Sequence, residues 1–153
     1  MSADNSLPVE AQRLAQFIGE WETKGTMIAE GKPSAIRGEW RFTRAADGWA
    51  ILGEMKTEIE GFGTIDEIDI AAFDAVGRRV HLIGFNQFGV RDHVGDWIDD
   101  KTLVLLYRGQ VDGKEVTEEV KIDFSTPNVQ RGWVVEKVDD VVTIRTELVV
   151  TRR

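Results

Sequence analysis

The chain has 153 residues, a formal net charge of −8 and no cysteine. That length supports one domain with one hydrophobic core, and the missing thiols exclude disulfides, thiolate metal sites and cysteine nucleophiles. The negative charge repels phosphate backbones and anionic lipid surfaces, so neither nucleic acid nor a membrane is an expected partner. No apolar run approaches the roughly 20 residues of a membrane helix. The opening Ser2-Ala3-Asp4-Asn5 lacks the basic and apolar regions of a signal peptide, so the expected location is cytoplasmic. Residues 1–8 read as a flexible N-terminus. From Val9 the apolar positions Ala11, Leu14, Ala15, Phe17 and Ile18 recur at helical spacing. Pro8 suits a first turn and Gly19 an end, which predicts a helix over 9–18 packed on the domain as a plug or lid.

After Trp21 the pattern changes to β-rich segments separated by turn signals. They span 21–29, 35–44, 49–59, 65–73, 79–86, 90–98, 102–111, 114–124, 131–138 and 141–151. Asp47-Gly48 and Asp112-Gly113 are strong two-residue hairpin signals, and Asp139-Asp140 is a weaker one. Ten consecutive strands with short links describe an antiparallel up-and-down meander over 21–152, and a long meander loses its exposed edges by closing into a barrel. The fold class is therefore all-β, a single barrel domain with a short N-terminal helix.

Hairpin register assigns the faces, because a slip of one residue exchanges them. With Asp47-Gly48 as the loop, Phe42, Trp40 and Ile36 face Gly53, Met55 and Ile59 on one apolar face. The alternate positions pair Arg41 with Glu54, Glu39 with Lys56 and Arg37 with Glu58 outside. The Asp112-Gly113 hairpin sets Tyr107 opposite Glu118 on the inner face and leaves Val104 and Leu106 outside. In the last hairpin Val142, Ile144, Thr146, Leu148 and Val150 share the inner face with Val135 and Trp133, and the same phase carries Arg152 inward. A three-residue loop at 99–101 would place His93 beside Tyr107 and Trp97 beside Leu103. The other loop lengths would turn Asp92 and Asp96 inward without a cation, which is the costlier choice.

The segment Phe17-Ile18-Gly19-Glu20-Trp21 is similar to the opening of calycins, the superfamily of lipocalins, fatty-acid-binding proteins and nitrobindins. With Phe73-Asp74, Gly77-Arg78 and Gly95-x-Trp97, the whole chain most resembles an uncharacterised bacterial calycin-like family. The resemblance implies a lipocalin-like barrel closed by an arginine near the C-terminus, Arg152 or its neighbour Arg153, lying over Trp21. Nitrobindins carry G-x-W-x-G-x-G and a haem-ligating histidine near the C-terminus. Here the run is Gly19-Glu20-Trp21-Glu22-Thr23-Lys24-Gly25 and no histidine follows His93, so no cofactor, haem included, is expected.

Other motifs point to no chemistry. His81 and His93 fall on different strands, and Asp96, Asp99 and Asp100 lack an EF-hand spacing, so no metal site is expected. Gly61-Phe62-Gly63 is too short for a phosphate loop, and Ser125 and Thr126 stand outside any nucleophile elbow. The expected function is binding of a small apolar or amphipathic molecule in the barrel interior. Its candidate contacts are Trp40, Met55, His93, Trp97, Tyr107, Glu118, Trp133 and Thr146. Two alternatives stand beside it: an enzyme using Glu118, Tyr107 and a histidine as acid and base groups, or a ligand-free barrel acting as a homodimer or adaptor through Val104 and Leu106.

Overall fold

The computed structural model describes residues 6–153, so most of the segment expected to be a flexible N-terminus lies outside the described residues. Where one helix over 9–18 was expected, the chain forms a five-residue α1 (Val9–Arg13) that tightens into a 3-10 turn (Leu14–Phe17). The tightening brings the Phe17 carbonyl within 2.8 Å of the Trp21 indole N–H, which donates to it. Gly19 then reverses the chain at φ 140°, where a Cβ would lie 2.2 Å from an Arg152 guanidinium nitrogen.

Ten strands follow: β1 (Gly19–Ala29), β2 (Lys32–Ala45), β3 (Ala50–Ile59), β4 (Gly63–Asp74), β5 (Arg79–Asn86), β6 (Gly89–Trp97), β7 (Thr102–Val111), β8 (Lys114–Asp123), β9 (Val129–Val138) and β10 (Val141–Arg152). Each pairs antiparallel with its sequence neighbours, and β1 closes on β10. Each apolar segment of the sequence becomes one strand, with no edge left open. Asp112 and Gly113 both take positive φ, 51° and 76°, the geometry of the tight hairpin turn that Asp-Gly favours. The register there sets Tyr107 against Glu118, and across β2 and β3 Trp40 stands against Met55. Outside, Arg41 pairs with Glu54, while Glu39 is held by Arg153 at 2.6 Å.

The last hairpin departs from the expected faces. Val141 and Val142 pair with Val138 and Lys137, but Thr143 bulges and the ladder resumes with Ile144 against Glu136. One extra residue shifts β9 by one position, so every β9 side chain beyond it exchanges faces. Gln130, Gly132 and Val134 therefore line the interior, with Thr146 against Val134. Trp133 and Val135 lie outside, and so does Val142, which precedes the bulge and was expected inside; the Lys121 ammonium sits 5.2 Å from the Trp133 ring centre.

The core fills the end of the barrel against which α1 and the 3-10 turn pack. Leu14 and Phe17 join Phe42, Leu103, Phe124 and Val150 there. Trp21 is 1% exposed, and the Arg152 guanidinium lies 4.2 Å from its ring centre while donating to the Ile18 carbonyl and, at 3.1 Å, to Asn128. At the opposite end the hairpin tips are open, and Phe62 and Phe88 stand at the mouth with ring centres 5.6 Å apart. The β6–β7 ladder runs only from Trp97 against Leu103 to Val94 against Leu106, and it ends before His93 and Tyr107. Among the described residues no helix is long and apolar enough to cross a membrane.

Candidate functional site

Above the plug the barrel encloses a cavity of about 340 Å³. Phe17 and Phe42 form part of its floor, and Met27, Met55, Val120 and Leu148 contribute apolar wall. A wider groove of about 530 Å³ runs outside the barrel past Arg41, Glu54, Ile68 and Phe85. That groove is open and flanked by exposed charges, whereas the interior cavity is ringed by the barrel wall and mostly apolar, as small-molecule sites are.

Two polar groups interrupt the apolar wall. The first spans four neighbouring strands. On β6 the inward phase carries Arg91 and His93; Tyr107, Glu118 and Glu136 follow on β7, β8 and β9. His93 Nε2 stands 2.7 Å from Glu118 Oε1, and Arg91 donates to Glu118 at 2.8 Å and to Glu136 at 3.1 Å. Tyr107 lies between them, its ring centre 5.7 Å from that of His93 and 5.1 Å from the Arg91 guanidinium. Gly109 makes room for the phenol, since a Cβ there would meet its oxygen at 2.1 Å. Burial, the largest single influence, pushes Glu118 up, but hydrogen bonding and charge from His93 and then Arg91 outweigh it and hold the carboxyl below its usual range. An ionised Glu118 only accepts hydrogen bonds, so the facing His93 Nε2 carries a proton.

The second group is on β4, whose inward phase carries Glu67 and Asp69 against Met55 and Gly53. Both line the cavity. Asp69 is 6% exposed, and its Oδ1 has no hydrogen-bond partner. Burial first, then the charge of Glu67 and a hydrogen bond with it, push its pKa well above the ordinary carboxylate value. Asn86 donates to Glu67 at 2.5 Å. On the far wall Gln130 is 3% exposed, and its amide nitrogen is also unpartnered.

Of the residues expected to contact a ligand, Trp40, Met55, His93, Glu118 and Thr146 reach the cavity wall, with the Trp40 indole N–H donating to Thr57 at 3.0 Å. Tyr107 sits behind His93 toward the mouth. Trp97 points inward at the plugged end, where it donates to the Glu10 carbonyl at 3.1 Å and packs on Phe124. Trp133 is outside for the reason given above. Sequence reasoning missed Arg91, Glu136, Glu67, Asp69 and Gln130. Arg91 shared the phase of His93 and was within reach of the same argument; the others depended on a bulge or on a loop length that the sequence does not mark. His81 lies on the outer surface, 3.0 Å from Asp92. Among the described residues no group of three or more histidine or acidic side chains is placed to hold a metal.

Fold and cavity together define a closed antiparallel ten-stranded barrel with a mostly apolar interior cavity. Among solved structures, the chain is similar to Rv2717c from M. tuberculosis, with TM-score 0.69 and 16% identity, covering 97% of this chain and 99% of that one. It is also similar to the S-type phycobiliprotein lyase CPES from Guillardia theta, with TM-score 0.65 and 13% identity over 93% and 91% of the two chains. The barrel EF1p2_mFAP2b, solved bound to DFHBI, matches with TM-score 0.52 and 12% identity over 94% of this chain and 99% of that one. At these identities the likeness is one of fold. No family model matches the chain, and no curated protein matches it in sequence.

Proposed function

We propose that this protein binds a small apolar or amphipathic molecule inside the barrel. The observation that carries the reading is the enclosed cavity of about 340 Å³, whose apolar wall is broken by His93 and Glu118 on one side and Glu67 and Asp69 on another. Its volume is at the small end of the roughly 300 to 1,000 Å³ typical of ligand pockets, which suits a molecule of one to a few rings. Similar barrels include one solved with DFHBI bound, so the architecture accommodates a small aromatic guest. Membership of a calycin-like bacterial family and a cytoplasmic location belong to the same reading. No haem ligand does, because His93 commits Nε2 to Glu118 and His81 faces outward toward Asp92.

Binding is favoured over acid–base catalysis because His93 and Glu118 are committed to one another and Glu118 also to Arg91, which holds the carboxyl ionised and weakly basic. Titration with the neutral dye N-phenyl-1-naphthylamine tests the reading. A single site is expected, with enhanced dye fluorescence that disappears when Thr146→Trp fills the cavity. Equal binding to that folded variant would move the site to the outer surface and overturn the proposal.

A further inference from the structure

The interior carries an imbalance of charge that the His93, Glu118 and Arg91 network does not remove. Along the cavity and the network beside it four carboxyl groups point inward, Glu67, Asp69, Glu118 and Glu136, with Arg91 and His93 as their basic neighbours. Lys32 and Lys114 share the inward phase only at the exposed rim, and Arg152 at the plugged end. Arg91 and His93 are already engaged on the Glu118 side. Among the described residues, no lysine, arginine or histidine forms an ion pair with Glu67 or Asp69. The neighbours facing Asp69 across β3 and β5 are Gly53 and Gly84, and Asn86 supplies Glu67 with a neutral amide. A buried carboxyl with an empty acceptor is costly to retain. Asp69 and Glu67 both line the cavity, with the unpartnered Oδ1 buried just behind its surface. Gln130, from a strand on the opposite side of the closed sheet, lines the same cavity, its unpartnered amide nitrogen likewise buried.

We propose that the cavity takes a small apolar amine, its protonated nitrogen seated between Asp69 and Glu67 and its hydrocarbon body against Met55, Leu82 and the floor of the cavity. This deepens the ligand-binding reading and rests on it. A cation balances the acid pair and takes the place of the proton that Asp69 and Glu67 otherwise hold between them. A neutral alcohol satisfies the hydrogen bond but leaves the excess charge. An anionic headgroup, such as that of a fatty acid, is repelled by it. The remaining ionisable groups on the cavity wall, His93 and Glu118, are bound to each other, so the acid pair on β4 is where the cation sits.

The test is calorimetric titration of the full chain with three probes of one shape: 2-naphthylmethylamine, 2-naphthylmethanol and 2-naphthoate. The amine is expected to bind at least about tenfold more tightly than the alcohol, the usual gain from a hydrogen bond to a charged group, and the carboxylate most weakly. In Asp69→Asn and in Glu67→Gln, each checked for its fold by circular dichroism, the preference for amine over alcohol should fall to within about twofold. Equal affinity of amine and alcohol for the unmodified protein would overturn the amine site while leaving the cavity as a binding site. A preference that survives both substitutions would equally overturn it. Binding of none of the three probes up to their solubility limits would overturn the cavity reading, and the amine site with it.

Discussion

Asp69 and Glu118 face the same cavity, yet their surroundings move them in opposite directions. Glu118 is held ionised by His93 and Arg91 despite its burial, so it stabilises the fold above the pKa of an unfolded carboxyl and loses that contribution as pH falls through its lowered value. Asp69 has no cationic partner, and burial, the charge of Glu67 and a hydrogen bond with Glu67 raise it. The folded chain keeps the Asp69 proton to higher pH than the unfolded chain does, so between those two pKa values stability falls as pH rises. Asp69→Asn should therefore be more stable than the parent near neutral pH, by on the order of 1 kcal/mol, with the gap closing as pH falls toward the ordinary carboxylate range. Urea unfolding at several pH values checks this, and a variant less stable than the parent throughout would show that Asp69 is already compensated. At the plugged end, Trp21 combines near-complete burial, an indole hydrogen bond to Phe17 and a guanidinium over its face. Trp21→Ala should cost about 3 to 5 kcal/mol, as for other buried large aromatics. A loss under about 1 kcal/mol would mean that the barrel closes without it.

Strand β4 shows why the acid pair was hidden. Its apolar residues Ile68 and Ile70 occupy the outward phase, with Ile68 49% exposed, while Glu67 and Asp69 point inward. A strand that keeps Ile65, Ala71 and Phe73 inward but sets Glu67 and Asp69 in the same phase, with Ile68 and Ile70 facing out, departs from the binary pattern of a half-buried sheet at its middle, and such local contradictions concentrate at functional sites. The loop at Glu60, Gly61 and Phe62 fixes this phase, but three residues with a glycine do not dictate a loop length from sequence alone. The Thr143 bulge hid Glu136 in the same way. By contrast, Asp112-Gly113 dictates its turn through two positive φ values, and the whole Tyr107 to Glu118 register follows from that dipeptide. Strands β6 and β7 make a further prediction. Their ladder ends at Val94 and Leu106, so the amides of 89–93 and 107–111 that point across this seam lack cross-strand partners. Their hydrogen exchange should be orders of magnitude faster than in the continuous β8–β9 ladder. Uniform protection across both seams would show that the β6–β7 ladder closes in solution.

At the scale of the whole molecule, the sequence carried the strand order, the closure and the plugged end. Those depend on periodicity, on turn dipeptides and on Trp21 with Arg152, all of which act locally or in known register. The inward facing of His93, Tyr107 and Glu118 was also legible, because burying Asp92 and Asp96 would have been the costlier register, although the β6–β7 pairing stops short of His93 and Tyr107. What was not legible is the interior's charge balance, which requires all ten strands to be phased at once, so that a single bulge or unmarked loop alters it. The outer surface carries the excess negative charge of the chain in solvent, while the interior concentrates a smaller excess beside an apolar cavity, where it is screened far less. The central claim is that this cavity, and not the outer surface, is where a ligand sits. Methyl NMR during titration with 2-naphthylmethanol tests it directly. Saturable shifts are expected at Met27, Val120, Val134 and Leu148, which line the cavity, with Ile68, Leu106 and Val142 on the outer face unmoved. Shifts confined to Ile68, Leu106 or Val142, with the four interior methyls unchanged, would contradict it.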